Sequence, residues 1–274
     1  MTGTALRAWT AAQPATATAP GQARLTLSVV VPVRDEADNI APLIAEIDRA
    51  LAAHSPFEVV YVDDGSADDT PRRLAEAKAL YPWLRVLRHR GSCGQSAALT
   101  TGIRAARAEW IATLDGDGQN DPADIAVLLR ALGDGAAADA PALVAGLRRR
   151  RRDGIGKRAA SRVANFIRSR LLRDDTPDTG CGLKLFRRSA FLALPNFDHM
   201  HRFLPALFRR NGGRVRLVEV GHRPRTSGLS KYGNLQRAFV GIVDLFGVMW
   251  LQRRSRLTIV EGDGEAPTSS NTGD

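Results

Sequence analysis

The stretch WIATLDGDGQNDPADI, residues 110–125, runs from apolar, strand-forming residues directly into four Asp residues interrupted by Gly, Gln and Pro. Residues 110–115 read as a buried strand, and a helical pattern follows over 122–132. Asp115 and Asp117 stand at i and i+2. On an extended backbone that spacing puts both carboxylates on one face, a few ångströms apart. Like charges placed so close need a cation between them, or one must take up a proton. Oxygen donors suit a hard divalent ion, Mg2+ or Mn2+, and Gln119 offers a neutral oxygen to the same shell.

The same alternation of short β-branched runs and helical patterns extends on both sides. LSVVVPV precedes a helical pattern over 38–53, FEVVYVD one over 68–80, LRVLRH one over 95–107, and ALVAGLR one over 157–172. Such alternation predicts βαβ units and a parallel, doubly wound sheet flanked by helices. Ligands of such sheets bind beyond the carboxyl ends of the strands, which makes the residues after each run the candidates for function. After the first run stand Pro32 and Glu36. After the second, Asp63, Asp64, Gly65 and Ser66 predict a tight turn, with Asp68 or Asp69 capping the next helix. A lone DxD is usually a solvated turn and DDGS alone usually a capping turn. Their occurrence at two strand ends of one sheet points to a site.

The chain of 274 residues is 44% hydrophobic and 25% charged, enough for a full core, and its formal net charge of +10 implies an anionic partner. Two cysteines, Cys93 and Cys181, make no disulfide framework and have no zinc spacing, so a reducing cytoplasm is expected. Residues 1–24 and 257–274 are polar and turn-rich and are expected to be disordered tails around a domain of 25–256. The first tail has no continuous apolar core, so it predicts neither a signal peptide nor a span.

The motifs together resemble the family 2 glycosyltransferases of the GT-A fold, most closely the polyprenyl-phosphate (dolichol-phosphate) mannosyltransferase-like branch, over about residues 27–251. LDGDGQNDP carries the most specific part of the likeness. The resemblance implies a Rossmann-like, mostly parallel sheet and a nucleoside-diphosphate sugar donor. Pro32, Glu36, Asp63 and Asp64 would lie on the nucleoside, Asp115 on the ribose and diphosphate side, and Asp117 and Gln119 on the metal. Where the family usually has Asn before that Glu, this chain has Asp35. Arg148, after the fifth run, and Arg158 and Arg162, on the next helix, would face phosphates, the latter two those of the acceptor. In DTGCGLKLFRR, residues 178–188, Asp178, Thr179 and Gly180 would line the catalytic pocket. Lys184 stands where the family usually has Arg, which keeps the charge and loses the bidentate fork. HRPRTSGLSKYG, 222–233, resembles a loop closing over the donor, with Arg225, Ser230 and Lys231 on its phosphates.

The final apolar pattern, LQRAFVGIVDLFGVMWLQRR, is broken by Asp244 and too short to span a bilayer. It predicts an amphipathic helix lying on an anionic leaflet, with Trp250 at headgroup level and Arg253, Arg254 and Arg256 near lipid phosphates, or else a helix packed on the sheet. The arginine run 148–152 also admits a solvated loop or a nucleic-acid patch, but no aromatic interleaving or recognition motif supports nucleic acid. The expectation is an inverting transfer of mannose, glucose or a related sugar to a polyprenyl-phosphate lipid. It places the protein in the cytoplasm, peripherally at the inner face of the membrane, held by the surface or by a membrane-protein partner. A GT-A transferase with a glycan or soluble acceptor, and a nonenzymatic nucleic-acid module, are the alternatives. The residues do not distinguish a guanine from a uracil donor.

Overall fold

The computed structural model describes residues 25–133, 135, 140–148, 168–224 and 234–254. Four βα steps and a fifth strand come first: β1 (Leu27–Val33), α1 (Ala37–Leu51), β2 (Phe57–Asp63), α2 (Thr70–Leu80), β3 (Leu84–Arg88), α3 (Gln95–Ala105), β4 (Trp110–Thr113), α4 (Asp124–Leu132) and β5 (Leu143–Arg148). Of the pattern expected over 157–172, residues 168–172 are described and are helical. Next come β6 (Lys184–Arg187), α5 (Arg188–Leu192), α6 (Leu204–Arg210), β7 (Val215–Val220) and α7 (Asn234–Arg253).

The strands form one seven-stranded sheet in the order β3-β2-β1-β4-β6-β5-β7. All neighbours run parallel except β6, which is antiparallel to both β4 and β5. Alternate residues of a strand face opposite sides. Val29, Val31, Val33 and Tyr61 therefore pack with Ile40, Ile44, Leu74, Ile125 and Leu128 of α1, α2 and α4. Val30, Val60, Val62 and Ile111 pack on the other side with Leu99, Ile103, Phe191, Leu204 and Val248 of α3, α5, α6 and α7. Coverage on both faces explains why β1 and β2 read as continuous apolar runs. The result is the expected mostly parallel α/β sheet, with the C-terminal helix present.

Two strands escaped the sequence reading. KLFR of β6 is four residues long between basic residues, too short to show a period. VRLVEV of β7 alternates weakly and lies at the sheet edge, where only Val220 of its six residues is buried. The antiparallel β6 matters for function. Because it runs backward, its first residue, Lys184, pairs in register with Thr113 at the end of β4 and Ala145 in β5. The start of β6 thus shares the sheet edge at which the parallel strands end.

Candidate functional site

That edge is held by hydrogen bonds continuing past the strands. Asp64 N–H donates to Val33 O (2.9 Å), His89 N–H to Asp63 O (2.9 Å) and Leu114 N–H to Val30 O (3.1 Å). The loops after β1 and β2 are tied together in turn. Asp35, with a left-handed φ of 52°, receives Ala67 N–H on Oδ1 (2.7 Å), while its own N–H donates to Ser66 Oγ (2.9 Å). Glu36 N–H donates to Thr70 Oγ1 (2.9 Å), and the Glu36 carboxylate takes Asn39 Nδ2 (2.6 Å). Of the two capping candidates, Asp68 does the work: Oδ1 accepts Thr70 N–H at the start of α2, and Oδ2 accepts Ala37 N–H at the start of α1. Pro32 sits half-buried near the end of β1.

Asp63 is buried, with Oδ1 on Ser66 N–H (2.9 Å) and Oδ2 3.1 Å from Arg88 Nε. Asp64 faces the loop after β3. It accepts from His89 Nδ1 (2.7 Å) and Cys93 N–H (2.8 Å) on Oδ1, and from Ser92 Oγ (2.8 Å) and Gly94 N–H (2.9 Å) on Oδ2. Burial alone would raise this carboxyl, but the bonds from Cys93, His89, Ser92 and Gly94 outweigh it and hold it below the usual carboxylate range. Gly65 makes the approach of the two loops feasible. Its φ is +71°, and a Cβ there would lie 2.7 Å from Gly91 C. The sequence reading had no signal for His89, Ser92 or Gly94, because they come from another loop.

Asp115 and Asp117 do come together, though not on an extended backbone as expected. β4 ends at Thr113, residues 116–117 form a turn, and Gly118 takes φ +72°. The early end follows from pairing: β4 matches β6 only through Thr113, opposite Lys184. Asp115 receives Gln95 Nε2 on Oδ1 (2.9 Å). Its carboxyl is pushed up to about 6, by desolvation first and the charge of Asp117 second, against the opposing pull of Lys184, Arg148 and Gln95. The repulsion anticipated from the sequence is thus present in the fold. Asp117 Oδ1 accepts Gln119 N–H (3.1 Å). Two neighbouring carboxylates, one with a raised proton affinity, and an amide oxygen make a donor set that fits Mg2+ or Mn2+.

The sign of the pH dependence follows. Because the folded pKa of Asp115 lies above its ordinary 3.8, ionisation of the metal-free protein costs stability as pH rises from about 4 to about 6. A bound dication favours the ionised form. Metal affinity is therefore expected to fall by up to about tenfold per unit as pH drops below about 6. Calorimetric Mn2+ titrations between about pH 7 and 5 check this, and a flat profile would contradict it.

Beside the pair stand three of the candidates from the second half. Arg148, at the end of β5, forms a bidentate pair with Asp178, Nε to Oδ2 at 2.6 Å and Nη2 to Oδ1 at 2.8 Å. Burial works against the Arg148 charge, and Asp178 more than offsets it, so the guanidinium is held above its ordinary value. Asp178 Oδ1 also accepts Gly180 N–H (3.0 Å). Lys184 is buried, and its Nζ donates to Cys181 O. Desolvation lowers its pKa, opposed by Cys181, Asp115 and Asp178. Gly182 lets the Asp115 carboxylate reach this backbone, since a Cβ there would fall 2.2 Å from Asp115 Cγ.

The structure adds residues that the sequence did not single out. His201 Nδ1 lies 2.8 Å from Ser96 Oγ, and burial, with Lys184 next, drives its pKa well below the ordinary value. Arg223 N–H donates to Gln119 O (2.9 Å), and its guanidinium bridges Glu46 (2.7 Å) and Asp121 (2.5 Å), which fixes the start of the expected donor loop to the segment that follows Asp117. Arg158, Arg162, Arg225, Ser230, Lys231 and Arg256 lie outside the described residues.

A mostly parallel α/β sheet with paired acids at a central strand end, beside the buried Lys184 and the half-buried Arg148, is a glycosyltransferase fold of the GT-A class. The chain matches the family model Glycosyl transferase family 2 over residues 28–194 and belongs to that family. Dodecaprenyl-phosphate galacturonate synthase of Rhizobium johnstonii is 35% identical over 235 residues, covering 84% of this chain and 68% of that protein. Undecaprenyl-phosphate 4-deoxy-4-formamido-L-arabinose transferase of Klebsiella pneumoniae is 33% identical over 210 residues, covering 75% and 62%. The chain thus spans about two thirds of the length of these relatives. Glucosyl-3-phosphoglycerate synthase from Mycobacterium tuberculosis, solved with Mn2+, UDP and phosphoglyceric acid, superposes with a TM-score of 0.63 at 20% identity, covering 85% of this chain and 80% of that one. That likeness is one of fold.

Proposed function

We propose that this protein transfers a sugar from a nucleoside diphosphate to a polyprenyl-phosphate lipid, inverting the anomeric carbon by single displacement. The observation that carries the reading is the raised Asp115 carboxyl beside Asp117, with the Arg148–Asp178 pair and Lys184 at the same edge. The names of the polyprenyl-phosphate relatives support the acceptor.

Asp117 and Gln119 would hold Mg2+ or Mn2+, with Asp115 toward the ribose and diphosphate. When bound, the ion offsets the negative charge that develops on the leaving diphosphate. Lys184 and Arg148 add fixed positive charge near the same atoms, in surroundings dry enough to make it count. Asp178 holds the Arg148 fork in place, which suits it to orienting a phosphate and not to taking a proton. A lipid monophosphate has a second pKa of about 6 and arrives largely as a dianion, so it needs no strong base. Asp63 and Asp64, with Pro32 and Glu36, would line the nucleoside side. Arg158 and Arg162 would meet the acceptor phosphate, and Arg225, Ser230 and Lys231 the donor phosphates. Solved neighbours of the fold carry UDP with Mn2+ or Mg2+, which makes UDP the first donor to test. Calorimetry with UDP and GDP, with and without Mg2+, tests the site. Metal-dependent binding of one of them is expected, and metal-independent or absent binding of both would sink the reading.

Attachment to a membrane surface belongs to the same proposal. On α7, Leu245, Val248 and Met249 pack on the core, while Ile242 (53% exposed), Val243 (56%), Phe246 (63%) and Trp250 (59%) form a stripe facing outward. Arg253 and Arg254 follow, both exposed. No helix among the described residues is long and apolar enough to cross a membrane. Such a helix suits the surface of an anionic leaflet, which fits a peripheral protein at the cytoplasmic face. Each surface Arg near anionic lipid contributes about 1 kcal/mol, so changing Arg253 and Arg254 to Ser should weaken vesicle binding by about 30-fold. Cosedimentation with anionic vesicles, falling as salt rises, checks this. Binding that ignores both salt and the substitutions would contradict it.

A further inference from the structure

We propose a second metal site, for a thiophilic ion such as Zn2+, formed by Asp64, His89 and Cys93 between the β2–α2 and β3–α3 loops. A ring nitrogen of His89, Cys93 Sγ and an Asp64 carboxylate oxygen lie within 4.8 Å of one another. Ligands bound to Zn2+ at about 2.0 to 2.3 Å in tetrahedral array stand roughly 3.3 to 3.8 Å apart. Closing the trio needs only small side-chain adjustments, and each component is already oriented.

The orientation comes from the neighbours. Cys93 N–H, Gly94 N–H and Ser92 Oγ fix the Asp64 carboxylate, and Arg34 Nη1 in turn holds Ser92 Oγ (2.8 Å). His89 Nε2 lies 3.0 Å from Thr101 Oγ1, and its Nδ1 lies 2.7 Å from Asp64 Oδ1. With the ring proton on Nδ1, donating to Asp64, the contact is an ordinary hydrogen bond; with the proton on Nε2, donating to Thr101 Oγ1, the Nδ1 lone pair is free for an ion that takes the place of that proton beside the carboxylate. A metal-ligating imidazole whose other nitrogen donates to an oxygen is the arrangement that second-sphere partners of zinc sites provide. The thiol supplies the selectivity, because thiolate and imidazole select zinc-like ions where the all-oxygen set at Asp115, Asp117 and Gln119 selects Mg2+ or Mn2+.

Binding exchanges one proton for the ion. The Cys93 thiol releases a proton to solvent, the neutral His89 ring carries its one proton on Nε2 toward Thr101, the Sγ and Nδ1 lone pairs and one Asp64 oxygen bind the ion, and nothing is oxidised or reduced. Cys93 is exposed, so the ion enters from solvent and a water completes the fourth position. If Asp64 also serves the nucleoside, as proposed above, an ion here takes that oxygen away and inhibits donor binding. This last step rests on that reading, and the site itself does not.

The test uses the full chain and Cd2+, whose thiolate charge-transfer band reports sulfur ligation directly. One equivalent is expected to saturate the band, Zn2+ to abolish it by displacement, and Cys93→Ser to remove it. His89→Gln should weaken Cd2+ affinity by at least about tenfold. An unchanged affinity in His89→Gln would mean a lone surface thiol and overturn the proposal, as would a band that never saturates. Should a variant fail to fold, the unmodified protein still decides: one equivalent of Zn2+ should slow iodoacetamide alkylation of Cys93 at least about tenfold, and an unaltered rate overturns the site. Cd2+ binding with undiminished UDP affinity would uphold the metal site and remove Asp64 from the nucleoside.

Discussion

Asp117→Ala should lower kcat/KM by about 10³-fold, the scale of several kcal/mol that a lost electrostatic anchor of the leaving group represents. The reason is specific to the pair. Asp115 has its proton affinity raised to about 6, in part by the charge of Asp117. Removing Asp117 takes away both the proposed metal ligand and that repulsion. The substitution therefore carries a second signature: the Asp115 carboxyl should return toward the ordinary carboxylate range, and the acid limb of the residual pH–rate profile should move to lower pH. Steady-state kinetics across pH measure both. Full activity in the variant, or a large loss with no movement of the acid limb, would show that the two carboxylates do not act as a unit.

The second large effect is expected at a residue with no functional group. Gly182→Ala would place a Cβ 2.2 Å from Asp115 Cγ and within 2.4 Å of both its oxygens. Gly182 does not need a left-handed φ, so the added methyl acts through that contact alone. A displacement of about 1 Å at a reacting centre costs on the order of 10²-fold in rate. The expected result is a loss of that size in kcat/KM with the thermal midpoint changed by only a few degrees, roughly what 1 kcal/mol does to a domain of this size. Activity close to that of the unmodified protein would mean that Asp115 has room to move and is not placed by the backbone just ahead of β6.

These two residues also mark how far the sequence carries. Asp115, Asp117 and Gln119 were legible because strand periodicity and a charge cluster meet in a single stretch, and the repulsion between the acids needs only their separation along the chain. The backbone geometry was not legible. The turn at 116–118 depends on where β4 stops pairing with β6, and the four residues of β6 carry no period of their own. For the same reason the approach of Gly182 to Asp115 could not be read, since it joins the segments that flank two strands paired antiparallel. Asp64 shows the other limit. Its DDGS turn was visible, but its bonds to His89, Ser92, Cys93 and Gly94 bring in a loop whose sequence, RHRGSCGQ, carries no residue pattern pointing back to it. The C-terminal helix was read as either a membrane-surface element or a packed one. In the fold its inner face packs on the core, and its outer face leaves Phe246 and Trp250 exposed.

The most direct measurement is transfer of labelled sugar by the purified protein, with UDP- and GDP-linked donors, into polyprenyl phosphate in anionic vesicles or into soluble phosphorylated and glycan acceptors. Label should enter the solvent-extractable lipid, only with Mg2+ or Mn2+ present, with the anomeric configuration inverted. Label reaching a soluble acceptor and not the lipid, or transfer undiminished in excess chelator, would contradict the account.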